Sequence, residues 1–221
     1  MFPETLKSHI ISLGRSCGAE RIVLFGSRAR GDNRPRSDID LAVFGLPTEQ
    51  ETAFWSGIDE LPTLLKFDIV FVRDYTAAAL LENIAKDSIV LMDKFKEKLE
   101  KYQRSVLRLG EIIQKYDECQ MEELKDGVIQ RFSFCSELAW KTTREYLLDQ
   151  GFVDINSPKS VMCCAYESGL ISNESAWISL LKARNLTSHV YDEETVNIVF
   201  EQIRANFLPL FRDLEKKLGS A

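Results

Sequence analysis

Asp38 and Asp40 lie two residues apart in an apolar run, and in an extended strand that spacing turns both carboxylates to one face. Two adjacent carboxylates repel unless a cation sits between them, and a divalent metal with oxygen ligands is the usual answer. One loop earlier, Gly26 and Ser27 follow a short apolar segment. A backbone without a β-carbon there lets a phosphate approach closely, and the serine hydroxyl adds a donor. Arg28 and Arg30 supply charge for the same anion, unless one of them faces solvent instead. Asp68 interrupts the β-favouring run Phe67 to Val72, so it either completes a carboxylate triad from a neighbouring strand or is solvated at a strand start. Metals bridging phosphates, donors gripping a triphosphate and a base or metal for the attacking hydroxyl are what nucleotidyl transfer requires, and this segment holds each type. A P-loop is excluded, because Gly26 and Gly31 frame the loop but no Gly-Lys-Ser/Thr follows. The bland alternative is a hairpin with a charged loop and Asp38 as a turn residue.

A second group, Arg184, His189 and Tyr191, forms an Arg-x-x-x-x-His-x-Tyr run. An arginine that stabilises a phosphorane-like charge and a histidine that exchanges a proton suit metal-independent RNA cleavage. On an unbroken helix five residues advance about 140° past a full turn, so Arg184 and His189 do not converge. The helix must end or distort there, or two copies must combine across a dimer. Read plainly, Arg and His near a helix C-terminus also complement its dipole. His9, with no metal-type residue spaced to join it, reads as a surface or packing histidine.

The elements that must position these groups fall into two textures. Pro3 and Glu4 open a helix with Leu6, Ile10, Ile11 and Leu13 on one face, ending towards Gly18. Strands are expected at Arg21 to Phe25, through the aspartates to Phe44, at Phe67 to Val72 and at Ser88 to Met92. Between the first two strands a Gly-Ser turn and an Arg-rich loop are expected. Helices containing Phe54 to Leu61 and Ala77 to Ala85 complete a small α/β domain over 1–93. Beyond Asp93 strand signals vanish, and helices are expected at about 95–116, 121–149, 158–168, 174–188 and 193–218, with Pro209 kinking the last near Ala205. The expected fold class is therefore α+β: a small mixed-sheet domain followed by an all-α helical bundle over 95–221.

Composition narrows the function classes. With 28 Lys+Arg against 34 Asp+Glu, a net charge of −6, the molecule is no general polyanion binder, although six arginines cluster between Arg15 and Arg36. Five cysteines, including adjacent Cys163 and Cys164, fit reduced thiols rather than a disulfide framework. The N-terminal residues lack signal-peptide character and no apolar run reaches a membrane span, so a soluble, cytoplasmic protein without membrane partners is expected.

Gly26-Ser27-x-Ala29-Arg30-Gly31 followed by Ser37-Asp38-x-Asp40-Leu41 resembles the signature of the minimal nucleotidyltransferases of the DNA polymerase β superfamily, with Asp68 at that family's third carboxylate position. The resemblance covers residues 1 to about 93. It implies magnesium-dependent transfer of a nucleoside monophosphate, most readily AMP from ATP, to a hydroxyl with release of pyrophosphate. Asp38, Asp40 and Asp68 would then hold two Mg ions, and Gly26, Ser27, Arg28 and Arg30 the nucleoside triphosphate. Residues from about 95 to 218 are similar to HEPN proteins of the nucleotidyltransferase substrate-binding group. That likeness implies a homodimer through the helical domain, a ribonuclease site at Arg184 and His189 acting on RNA, and a toxin-antitoxin-like pairing of the two domains. It also implies Tyr191 as the hydroxyl that receives AMP, which silences the ribonuclease; the plain reading of Tyr191 is an amphipathic residue at a helix junction.

Four functions stay open from sequence. The leading one is an adenylyltransferase acting on Tyr191 of its own or a sister chain. The others are a ribonuclease toxin restrained by the first domain, an antibiotic-type adenylyltransferase whose cationic substrate meets residues such as Glu111 and Glu118, and a non-catalytic interaction module.

Overall fold

A computed structural model describes residues 2–187 and 193–220. The chain divides into two compact units, Met1–Lys94 and Phe95–Ala221. Among the described residues no helix is long and apolar enough to cross a membrane.

The first unit is built on four strands, β1 (Arg21–Phe25), β2 (Ile39–Phe44), β3 (Phe67–Val72) and β4 (Ile89–Asp93), in the order β3-β2-β1-β4. β1 pairs antiparallel with β2 and β4, whereas β2 and β3 are parallel. The period-two alternation of β2 sends Ile39, Leu41 and Val43 to one face, where they pack with Ile22 and Leu24 against Leu6 and Ile10 of α1 (Glu4–Ser16). Phe54 and Ile58, both from a helix at Glu51–Asp59, close the same core. The other face carries Asp40 and then Ala42, which joins Val23, Val72 and Ile84 in a smaller apolar cluster under a helix at Ala78–Lys86. One face of the sheet is thus wholly apolar. The opposite face is apolar at one end and acidic at the other.

Two local expectations are corrected. Residues Gly26–Arg30 form a short helix, α2, rather than a turn and the start of an Arg-rich loop. Ser, Arg and Ala all tolerate helical backbone, and the irregular segment starts only at Gly31, whose left-handed φ of 82° caps the turn. Strand β2 begins at Ile39, so Asp38 stands immediately ahead of it rather than within it. In sequence order the helices named so far are α1, α2, α3 (Glu51–Asp59) and α4 (Ala78–Lys86).

Among the described residues the second unit contains helices and no strand: α5 (Lys94–Cys119), α6 (Glu123–Asp149), α7 (Pro158–Glu167), α8 (Glu174–Leu186), α9 (Glu193–Gln202) and α10 (Leu208–Gly219). The stripe Val128, Phe132, Cys135 and Ala139 of α6 is fully buried. It meets Tyr102, Val106 and Leu109 of α5 in one core. Phe132 stacks on Phe207 with ring centroids 5.4 Å apart and also meets Phe211 at 6.0 Å. Ser157 and Ser160 form a reciprocal capping box that starts α7, and Asn173 Oδ1 accepts from Ala176 N at 3.0 Å to start α8. The expected single helix at 193–218 is instead interrupted by a π-helical turn at Ile203–Phe207. Pro209 lacks the N–H that would bond to Ala205, and the wider turn absorbs that loss without ending the rod. All five cysteines are free thiols, and burial pushes Cys135 up to about 11, which makes it a packing residue rather than a nucleophile.

Because Phe132 is fully buried between two aromatic partners, Phe132→Ala should cost about 3–5 kcal/mol of the helical unit's stability. The check is chemical denaturation followed by helical circular dichroism, with the midpoint moving to lower denaturant.

Candidate active site

The acidic end of the sheet is set by register. In the parallel β2–β3 ladder Asp40 is paired directly with Asp68, and in the antiparallel β1–β2 ladder Asp40 lies opposite Phe25, the last residue before α2. Paired residues on neighbouring strands point to the same face, so the two carboxylates stand side by side. Asp40 is half-buried, whereas Asp38 and Asp68 are exposed. Burial, followed by the negative charges of Asp68 and Asp38, pushes the Asp40 carboxyl above its ordinary value, and Arg30 and Arg28 offset this only in part. The three aspartates named from sequence therefore form one electrostatic neighbourhood.

Gly26 belongs to the same neighbourhood for a steric reason. Its φ of 69° lies in the left-handed region, and a β-carbon built there would run into the carboxylate of Asp40. No other residue fits at the β1–α2 junction while Asp40 keeps its position. The Ser27 carbonyl accepts from Gly31 N at 3.0 Å and from Asp32 N at 3.2 Å, while its half-buried hydroxyl has no partner among the described residues. Both arginines have partners within the chain. Arg28 donates through Nη2 to Ser37 O at 2.7 Å and through Nε to Ser37 O and Asp38 O at 3.1 Å each, which fastens the segment carrying Asp38 to α2. Arg30 Nε pairs with Asp32 Oδ2 at 3.1 Å in an exposed ion pair. Arg28 is thus a positioning group, and neither guanidinium is wholly unengaged.

Among the described residues no three His, Cys, Asp or Glu side chains converge into a closed metal cage. The donor set at β2 and β3 is nevertheless all oxygen and all anionic, and its central member, Asp40, is held above its ordinary value by burial and then by the charges of Asp68 and Asp38. Hard divalent cations such as Mg fit that chemistry, because they need only one or two protein carboxylates and take their remaining oxygens from water and phosphates.

In the helical unit, Arg184 near the end of α8 pairs with Glu137 Oε2 of α6 at 3.2 Å and contacts Asn185 Oδ1, also at 3.2 Å. It borders a cavity of about 300 Å³ whose walls include Trp140, Ile178 and Leu181. Burial would raise the Glu137 carboxyl, but hydrogen bonds from Lys141 and Trp140 and the charges of Lys141 and Arg184 outweigh it and hold Glu137 below its ordinary value. Glu137 and Trp140 carry no sequence signal, since the Glu137–Arg184 pair spans 47 positions between two helices. His189 and Tyr191 lie outside the described residues.

Comparison with known proteins divides the chain in the same sense. Residues 97–220 match the family described as nucleotidyltransferase substrate binding protein like, and residues 10–97 match the family described as polymerase beta, nucleotidyltransferase. A Haemophilus influenzae protein described as "Probable ribonuclease HepT" is 33% identical over 81 residues, which are 35% of this chain and 56% of that relative's length. The solved structure of a Haemophilus influenzae protein, described as revealing the fold of a substrate binding domain of a nucleotidyltransferase, covers 55% of this chain and 98% of its own at 25% identity and a TM-score of 0.50. A toxin-antitoxin structure with AMP-PNP covers 49% of this chain and 96% of its own at 24% identity and a TM-score of 0.32.

A carboxyl whose folded value is raised above its unfolded one is charged at a cost in the folded state, so it lowers stability as pH climbs through the raised value. Asp40→Asn should therefore raise the melting temperature at pH 7 in EDTA. The gain should disappear below the ordinary carboxylate range, where the native side chain is already neutral. Differential scanning calorimetry at the two pH values reads both effects.

Proposed function

This chain belongs to the nucleotidyltransferase substrate binding protein like family and carries a polymerase β-type nucleotidyltransferase domain ahead of that region; on that footing we propose that it transfers AMP from ATP to a hydroxyl, with Tyr191 as acceptor. The observation that carries the reading is the pairing of Asp40 with Asp68 at the sheet end where Gly26 presses against Asp40. Asp38, Asp40 and Asp68 would hold the Mg ions, two of them once nucleotide is bound, and when bound those ions neutralise charge on the phosphates. Ser27, with its unpartnered hydroxyl, and the Gly26 backbone would contact the triphosphate. Arg28 keeps Asp38 in place through the carbonyls of Ser37 and Asp38. In the reaction the tyrosine oxygen forms a bond to the α-phosphorus as the α–β phosphoanhydride bond breaks, pyrophosphate leaves, and the phenol proton passes to the carboxylate cluster or to water.

Covalent attachment of donor and acceptor domains supports a protein acceptor, since two modules on one chain, or in a dimer of such chains, meet at an effective concentration far above that of separate molecules. Intact-mass measurement of the purified chain before and after ATP and Mg tests the proposal. The wild type should gain the mass of AMP, and Asp38→Asn with Asp40→Asn should gain none. Labelling of Tyr191→Phe equal to wild type removes Tyr191 as the acceptor, and unchanged mass of the wild type, shown to be unmodified at the start, removes the transfer reading.

A second reading is favoured by the 33% identity to the probable ribonuclease and by the placement of Arg184 against Glu137 at a cavity. Arg184 and His189 would then cleave RNA, restrained by the transferase domain in a toxin-antitoxin-like arrangement. Expression of the Asp38→Asn, Asp40→Asn chain should slow growth sharply, and adding His189→Ala should restore it. Harmless expression of the transferase-dead chain, with no cleavage of RNA in vitro, defeats this reading.

A further inference from the structure

On another side of α6 from the Arg184 cavity, α5 and α6 enclose a groove of about 310 Å³ lined by Lys101, Arg104, Arg108, Arg131 and Phe134. Lys101, Arg104 and Arg108 recur at three- and four-residue steps, so they form one stripe along α5, and all three are exposed. Among the described residues none of the four cations is paired with a carboxylate. Arg104 Nε reaches only the backbone oxygen of Glu100, at 3.3 Å. Elsewhere in the chain Arg73, Arg144, Arg184 and Arg204 each meet an acidic side chain. A chain of net charge −6 therefore has carboxylates to spare, yet leaves four cations repelling one another along this groove.

Phe134 sits among them with 57% of its surface exposed. An exposed ring flanked by cations is poorly suited to another protein core, but it suits nucleic acid single strands, whose bases stack on aromatic faces while cations follow the backbone. The three cations of α5 span seven residues, about 10 Å of helix, which is a run of phosphodiesters rather than one phosphate group. We propose that the α5–α6 groove binds single-stranded nucleic acid, with phosphodiesters on Lys101, Arg104, Arg108 and Arg131 and a base stacked on Phe134. The proposal requires neither AMP transfer nor RNA cleavage, so it stands or falls apart from both readings above.

The test is fluorescence anisotropy of the full chain, carrying Arg184→Ala and held in EDTA, with a fluorescein-labelled oligouridylate of roughly ten nucleotides. Affinity should fall as salt rises. Arg108→Ala with Arg131→Ala should weaken binding at least tenfold and flatten the log–log salt slope by about 1.4, at about 0.7 for each phosphate no longer neutralised. Phe134→Ala should weaken binding about tenfold while leaving the slope alone. Arg108→Lys with Arg131→Lys should keep the slope, which separates charge from fold. Absence of oligonucleotide binding, or binding indifferent to these substitutions, overturns the proposal. Displacement by ATP at matched phosphate concentration would mark a mononucleotide site, and equal displacement by polyglutamate with no effect of Phe134→Ala would mark an acidic protein partner; either result overturns it. A concentration-dependent dimer abolished by Phe134→Ala, with no oligonucleotide bound, would assign the groove to self-association and also overturn it.

Discussion

The parallel register that puts Asp40 beside Asp68 is the constraint on which the first unit depends. Holding two carboxylates together in a partly buried place is unfavourable without a cation, and the fold opposes that repulsion from behind. Ile39 and Leu41, flanking Asp40 on β2, are fully buried against α1 and α3, so β2 cannot shift by one residue without exposing its whole apolar set. Gly26 then closes the other side of Asp40, and Arg28 fixes the backbone on which Asp38 rides. The acidic end is therefore preorganised by packing, and its charge is left for a ligand to neutralise.

The helical unit holds Arg184 differently. It is not fixed by a strand register but by one carboxylate on a neighbouring helix, in an ion pair with both side chains partly exposed to solvent. Such a pair contributes little to stability, about 0–1 kcal/mol, and its value is to orient the guanidinium at the mouth of the cavity. Glu137 is shared among Arg184, Lys141 and Trp140, so Arg184 is not its only anchor. Stability in this unit comes instead from the aromatic cluster of Phe132, Phe207 and Phe211, which runs through the π-helical turn ahead of Pro209.

What could be read from sequence follows from how local each signal is. The amphipathic stripe through Val128 and Phe132 and the Ser157 cap are short-range patterns, and the structure reproduces the elements they imply, whereas of the Asp38 and Asp40 pair only Asp40 lies within β2. The matched families agree with the α+β order of a mixed-sheet domain followed by a helical one. Pro209 announced a disturbance at the right place but not its form, because a missing N–H can end a helix, kink it or widen one turn, and packing of Ile203 and Phe207 selects among these. The charge of Arg28 is visible in sequence, but its positioning role is not, because the three carbonyls it serves lie seven to ten residues away and come within reach only once the loop folds back. Glu137 was beyond reach for the same reason at longer range.

Fusion of the two domains constrains how any ribonuclease in the second could be controlled. A separate inhibitor can be degraded while its target survives, but a covalently attached one cannot be removed without cutting the chain. Control must then pass through a state of the chain itself: a modified acceptor, an occupied nucleotide site or an occupied groove. The Asp40 carboxyl, raised by burial and by the charges of Asp68 and Asp38 and only partly offset by Arg30 and Arg28, would be relieved by a cation bound beside it. A ligand at the acidic end, a covalent mark on the helical unit and an occupied groove are thus the forms of restraint compatible with one continuous chain. Only the covalent mark persists after the nucleotide has left, which is the physical reason for seeking the acceptor within the protein.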